Sequence, residues 1–128
     1  MSFRCTVLTP ERMAFEGEVE SAVLPAHDGE LGILPGHADF LGQLGIGSAR
    51  LRRAGGEEVL ALNGGYLRVS GGVLTVLAEE ALPVSALDRA RAEADLQAAL
   101  AERPASTTDA NARDARLAWA RARLRLLA

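Results

Sequence analysis

Two different periods run along this chain. From Phe3 to Ala78, short apolar segments of strand length are broken by the turn signals Ala54-Gly55-Gly56, Asn63-Gly64-Gly65 and Ser70-Gly71-Gly72. Their spacing of about 8 to 10 residues is that of antiparallel meanders. The pattern predicts an all-β sandwich or flattened barrel. Val59-Leu60-Ala61-Leu62 and Val73-Leu74-Thr75-Val76-Leu77 are apolar at nearly every position, more than a sheet with one solvated face requires. Either one face meets the core and the other a partner, or both faces are covered within the protein.

After Pro83 the period becomes helical. Ser85-Ala86-Leu87-Asp88 has capping-box spacing with Asp in place of Glu, and a run rich in Ala, Leu and Arg continues to Arg103, where Pro104 stops it. Ser106 to Asp109 offers caps for a second helix ending near Leu127, with Leu117, Ala120, Leu124 and Leu127 on one stripe. The expected organisation is a β-sandwich over residues 1–84 followed by an antiparallel two-helix hairpin over 85–128. The surfaces facing each other in that hairpin are mostly alanine, worth about 0.8 kcal/mol per buried methyl-sized group. Helices of roughly 15 residues are marginal alone in water. A hairpin held this lightly could detach and rearrange.

Charge sharpens the division. Residues 1–87 carry six Arg against eleven Asp or Glu, a net of −5, whereas 88–128 carry eight Arg against six acids, a net of +2. The whole chain is at −3, which offers no general field for nucleic acid. All fourteen basic residues are Arg, a bias that lowers the information in any single one. The lone Cys5 excludes an internal disulfide and, within the alternating segment Phe3 to Leu8, reads as a small core residue. No apolar run approaches the roughly 20 residues that span a bilayer. Met1 leads almost directly into strand pattern, so no targeting peptide is expected.

The most constrained stretch is His27 to His37, HDGELGILPGH. Pro35-Gly36 presets φ at one turn position and permits positive φ at the next, as in a type II turn. His27, Asp28, Glu30, His37 and Asp39 include metal-ligand types, but they match no compact zinc spacing. A chain without lysine has no Walker phosphate loop. Nothing resembles a serine elbow, a paired-acid cleft or a Cys-His couple, so independent catalysis is not expected. A cupin-like metal enzyme would need His27 and His37 to converge on one ion, and a free-standing ligand-binding module would need no partner.

With Val7-Leu8-Thr9-Pro10 upstream and Gly42 to Leu51 downstream, GELGILPGH closely resembles the epsilon subunits of F-type ATP synthases. The resemblance implies a non-catalytic rotor subunit on the cytoplasmic face of a bacterial inner membrane, peripheral to it. It implies that the sandwich joins the gamma subunit to the ring of c subunits, with Glu30 and His37 in the loop facing that ring. It also implies a hairpin that inhibits ATP hydrolysis when extended.

Leu87-Asp88-Arg89-Ala90-Arg91-Ala92 fits the pattern [I/L]DxxRA by which some epsilon subunits bind ATP at the base of the first C-terminal helix. The resemblance therefore places Asp88, Arg91 and Ala92 in a nucleotide site, completed by Arg121 and Arg125 of the second helix. A carboxylate can accept from an adenine amino group, and guanidinium groups pair with phosphate oxygens. This chain departs from the ATP-binding pattern in having Leu82 in place of an acid and Ala98 in place of an arginine. The resemblance makes ATP a candidate regulatory ligand, the alternative being a capped helix N-terminus followed by ordinary surface arginines, and no cofactor is required. In the extended state the resemblance has Arg113, Arg116, Arg121, Arg123 and Arg125 meeting acidic residues of the alpha and beta subunits, with Trp119 either packing in the hairpin or anchoring that state.

Overall fold

The structure, a computed structural model, describes residues 1–128. Seven strands form one hydrogen-bonded sheet: β1 (Phe3–Leu8), β2 (Met13–Val19), β3 (Ser21–Ala26), β4 (Gly29–Ile33), β5 (Phe40–Arg53), β6 (Gly56–Ser70) and β7 (Val73–Pro83). Their order across it is β2-β1-β7-β6-β5-β3-β4. β5, β6 and β7 form an antiparallel meander, as the turn spacing predicts. β1 instead joins β7 in parallel, a distant pairing that turn spacing does not reveal.

A crease folds this single sheet into two layers. Leu60 and Leu62 face the core in the first half of β6 and Leu67 and Val69 in the second, so the alternation changes phase. The same change occurs between Leu44 and Ala49 in β5 and between Ala78 and Ala81 in β7. Register is kept on both sides of the crease: Leu44↔Gly65 and Ile46↔Asn63 in one pair of strands, Gly65↔Ala78 and Asn63↔Glu80 in the other. Gly64 and Gly65 allow the bend, with φ of 63° and 117°, and a Cβ on Gly65 would lie 2.0 Å from the Leu77 carbonyl oxygen. Asn63-Gly64-Gly65, expected as a turn between strands, therefore lies inside β6. The glycine pair serves a corner here, and a corner needs positive φ and close approach as much as a turn does.

One core cluster of 19 buried residues fills the space between the layers, and every member comes from a strand. Cys5 is fully buried in it, and loss of solvation pushes its thiol up to about 12. It is a packing residue with no reactive character.

Two helices follow a short 3-10 turn at Val84–Ala86: α1 (Arg89–Ala101) and α2 (Thr107–Leu127). Asp88 is the N-cap of α1, its side chain accepting from Arg91 N at 3.2 Å. The capping box expected from Ser85 does not form, because Ser85 belongs to the 3-10 turn. α1 stops at Ala101, short of Arg103, and Glu102 is already extended at ψ 145°. Pro104 explains the early stop, since the chain entering a proline disfavours helix. Ser106 caps α2 through Asp109 N at 3.1 Å.

α2 lies on β5 and β6, and α1 packs on α2. Ala61 shows the consequence: it is fully buried yet outside the sandwich core, because the outer side of β6 there is covered by α2. The doubly apolar strands thus have two different explanations. β6 is covered from within, whereas Val73 and Leu77 of β7 stand 39% and 52% exposed.

Candidate functional site

A cleft of about 830 Å³ runs between the hairpin and the end of the sandwich. α1 and its two caps line it with Asp88, Arg91, Asp95, Ala98 and Glu102, a stripe at steps of three and four along one side of the helix. α2 contributes Arg116, Trp119 and Arg123 at the same steps, and Leu82, Glu79 and Glu80 close it from β7.

Inside the cleft the arginines already have partners. Arg123, only 8% exposed, donates from Nε to the Trp119 carbonyl at 3.3 Å and from its terminal nitrogen to Asp95 Oδ2 at 2.9 Å. Its guanidinium sits 5.1 Å from the centre of the Trp119 ring, within cation–π range. Asp95 also faces Arg91 at 3.7 Å through its other oxygen. Arg116 grips Glu102 with two N–H donors, one of them Nε at 3.1 Å from Oε2, the fork geometry in which guanidinium binds carboxylate best. The Arg116 hydrogen bond holds the Glu102 carboxyl below its ordinary value. Arg113 Nε donates to the Ala99 carbonyl at 2.9 Å, and Arg89 to that of Leu127. Both carbonyls lie in the last turn of their helices, where cations are favoured.

The residues expected to hold nucleotide divide accordingly. Asp88 and Arg91 line the cleft, and Ala92 is buried behind it. Arg121 and Arg125 are exposed and absent from its lining; the α2 arginines that reach it are Arg116 and Arg123. Helical phase is the reason, because Arg121 and Arg125 lie two residues away from Arg123 and project elsewhere on α2. Asp95, Glu102 and Trp119 were not singled out as cleft residues from the sequence, although the shared steps of three and four carry that information.

The loop from His27 to His37 has a different construction. His27 and Asp28 form an exposed turn, but Glu30 sits in edge strand β4 and pairs with Arg50 at 3.4 Å. Leu34 to His37 closes as a turn, with His37 N donating to Leu34 O at 3.1 Å and Gly36 at φ 82°. This is the type II form expected for Pro-Gly. His37 Nδ1 lies 2.7 Å from the Ala38 carbonyl, which can only accept, so that nitrogen carries the proton. Asp39 accepts from Gly71 N at 3.1 Å and ties this loop to the β6–β7 turn. Leu34 and Leu41 stand 63% and 73% exposed at this end. No three His, Cys, Asp or Glu side chains come together as a metal cluster.

A second exposed apolar feature crosses the outer face of the other layer. Register places Met13, Leu8, Leu77 and Tyr66 side by side across β2, β1, β7 and β6. Met13, Leu77 and Tyr66 are each more than half exposed. A contiguous apolar row of this kind on a sheet face marks an interaction surface.

Comparison with known proteins gives concordant findings. The family model described as "ATP synthase, Delta/Epsilon chain, beta-sandwich domain" matches residues 2–84. The chain is 41% identical over 126 residues to an ATP synthase epsilon chain of Rhodopirellula baltica, covering 98% of each. It is 42% identical over 99 residues to that of a Synechococcus species, covering 77% of this chain and 73% of the relative. Its fold is similar to a chain of the Euglena gracilis mitochondrial ATP synthase, determined with OSCP, F1 and c-ring, at a TM-score of 0.85 and 20% identity over 99% of this chain and 82% of that one. A chain from the Tetrahymena thermophila central stalk and c-ring is similar at a TM-score of 0.73 and 14% identity, covering 98% and 96%.

Proposed function

The chain belongs to the epsilon-chain family of the ATP synthases, and on that premise we propose that it is a rotor subunit whose sandwich joins the gamma subunit to the c-ring and whose hairpin restrains ATP hydrolysis. It is a non-catalytic subunit of that complex. The observation that carries the reading is the exposed apolar row Met13, Leu8, Leu77, Tyr66, on the layer that the helices leave uncovered. A protein that worked alone would gain nothing from a cross-strand row so open to water, whereas a partner helix laid across it would bury it. We assign this face to gamma and the exposed end at Leu34, His37 and Leu41 to the c-ring. Glu30, in the edge strand β4 that leads into this turn and paired with Arg50, is proposed to contact the c-ring as well.

No helix of the chain is long and apolar enough to cross a membrane. The proposed place is therefore peripheral, on the cytoplasmic face of the bacterial inner membrane, reached through these partners. The basic side chains of α2 are proposed to meet acidic residues of the alpha and beta subunits when the hairpin extends. The cleft at Asp88 and Arg91 is the proposed position for ATP.

Tyr66→Arg and Leu77→Arg test the docking face, because both are surface changes that leave the core intact. Each should abolish recovery of gamma with this chain while the isolated chain keeps its circular dichroism. Undiminished recovery would assign gamma to another face.

A further inference from the structure

We infer that Asp95 occupies, from within the protein, the position a phosphate would take in the interhelical cleft, so that the hairpin closes on its own carboxylate and nucleotide enters only by displacing it. The inference rests on the reading of this cleft as the ATP position and states how that position is controlled.

Three observations converge on it. Asp95 is the one anion that touches arginines of both helices, Arg91 on α1 and Arg123 on α2, and a bound phosphate would have to bridge that same pair. Arg123 is fixed before any ligand arrives: its Nε is taken by the Trp119 carbonyl, its guanidinium carbon lies 5.1 Å from the centre of the Trp119 ring, and its side chain is only 10% exposed. A guanidinium so buried needs an anion beside it at all times, and Asp95 meets that need without a ligand. The cleft also has no cation to spare. Six carboxylates line it against three guanidinium groups, and all three have a carboxylate within 4 Å. Ala98, one turn beyond Asp95 on the same stripe, adds no charge to alter that balance.

A polyanion entering this cleft meets a net negative wall and must separate Asp95 from its partners. Two consequences follow for the full chain. Closure of the hairpin should not depend on ATP, and removal of the Asp95 charge should turn a weak ATP site into a stronger one while making closure depend on ATP.

Trp119 is the only tryptophan of the chain, so its emission reports on the hairpin directly. Full-length wild type, Asp95→Asn and Asp95→Ser are titrated with ATP, and separately with inorganic tripolyphosphate, by calorimetry and Trp119 fluorescence. Wild type should show the blue emission of a buried indole without ligand, unchanged by ATP. Asp95→Asn should bind ATP and tripolyphosphate at least ten-fold more tightly, with ligand-free emission shifted to the red and restored by ATP; Asp95→Ser serves if the Asn variant folds poorly. Equal, measurable affinity in wild type and variants would overturn the role of Asp95 and leave the ATP reading standing. Absence of binding in all three would overturn both. Wild-type emission that is red without ATP and blue with it would overturn self-closure whatever the variants do.

Discussion

Single residues in this fold carry constraints that composition hides. Gly65 combines φ of 117° with a backbone oxygen where its Cβ would stand, so Gly65→Ala must move β7 relative to β6. The expected loss is about 2 to 4 kcal/mol, lowering Tm by roughly 10 °C or more, measurable by thermal denaturation. Glu102 makes a second prediction, because the Arg116 hydrogen bond, with the charges of Arg116 and Arg113 adding to it, holds its carboxyl below the ordinary 4.5. A carboxyl lowered on folding stabilises fully above its unfolded value, and that contribution disappears as pH falls through the folded value. Trp119 emission should therefore hold steady down to about pH 5 and shift to the red below about 4.5, less steeply in Glu102→Gln. An identical acid profile in both proteins would remove the pair from hairpin closure. At this scale the sequence is partly legible. Cys5 as core and Pro35-Gly36 as a type II turn follow from residue type and spacing. Glycine pairs permit either a turn or a corner, so Asn63-Gly64-Gly65 is ambiguous until its neighbours β5 and β7 crease beside it.

Among the elements, the change of period near Pro83 separates strands from helices in both sequence and structure, since hydrophobic alternation at two and at 3.6 residues reflects burial directly. What periodicity cannot show is pairing between distant segments. The parallel β1–β7 contact and the docking of α2 on β5 and β6 depend on which surfaces meet. The residues expected to hold nucleotide illustrate the same limit. Asp88 and Arg91 line the cleft, whereas on α2 a displacement of two residues decides whether Arg121 or Arg123 faces it. Because the sandwich core draws on no helical residue, we propose that residues 1–84 fold independently. A protein cut after Val84 should keep a β-type circular dichroism spectrum and a cooperative thermal transition. Exposure of Ala61 and its neighbours under α2 should lower its Tm only modestly. An unfolded fragment would make the helices part of the core.

The molecule as a whole has two parts: a sandwich with one uncovered apolar face, and a hairpin whose helices meet through a small apolar contact and arginine ion pairs. Leu117 and Trp119 are its only large apolar side chains that are buried, at 7% and 8% exposure, and the other buried apolar positions are alanine. The ion pairs of Asp95 and Glu102 add to what holds the two helices together, and the same arginines would become available if the hairpin opened. On the proposed inhibitory role, that reuse of charge would link closure to inhibition; in the sequence it is visible only as a net positive segment without partners. The most direct measurement is the rate of ATP hydrolysis by the complete synthase assembled with this chain, either whole or ending at Leu87. Both versions should retain gamma and the c-ring, and the shortened one should hydrolyse ATP faster. Loss of the complex, or an unchanged rate in an intact complex, would contradict the proposed function.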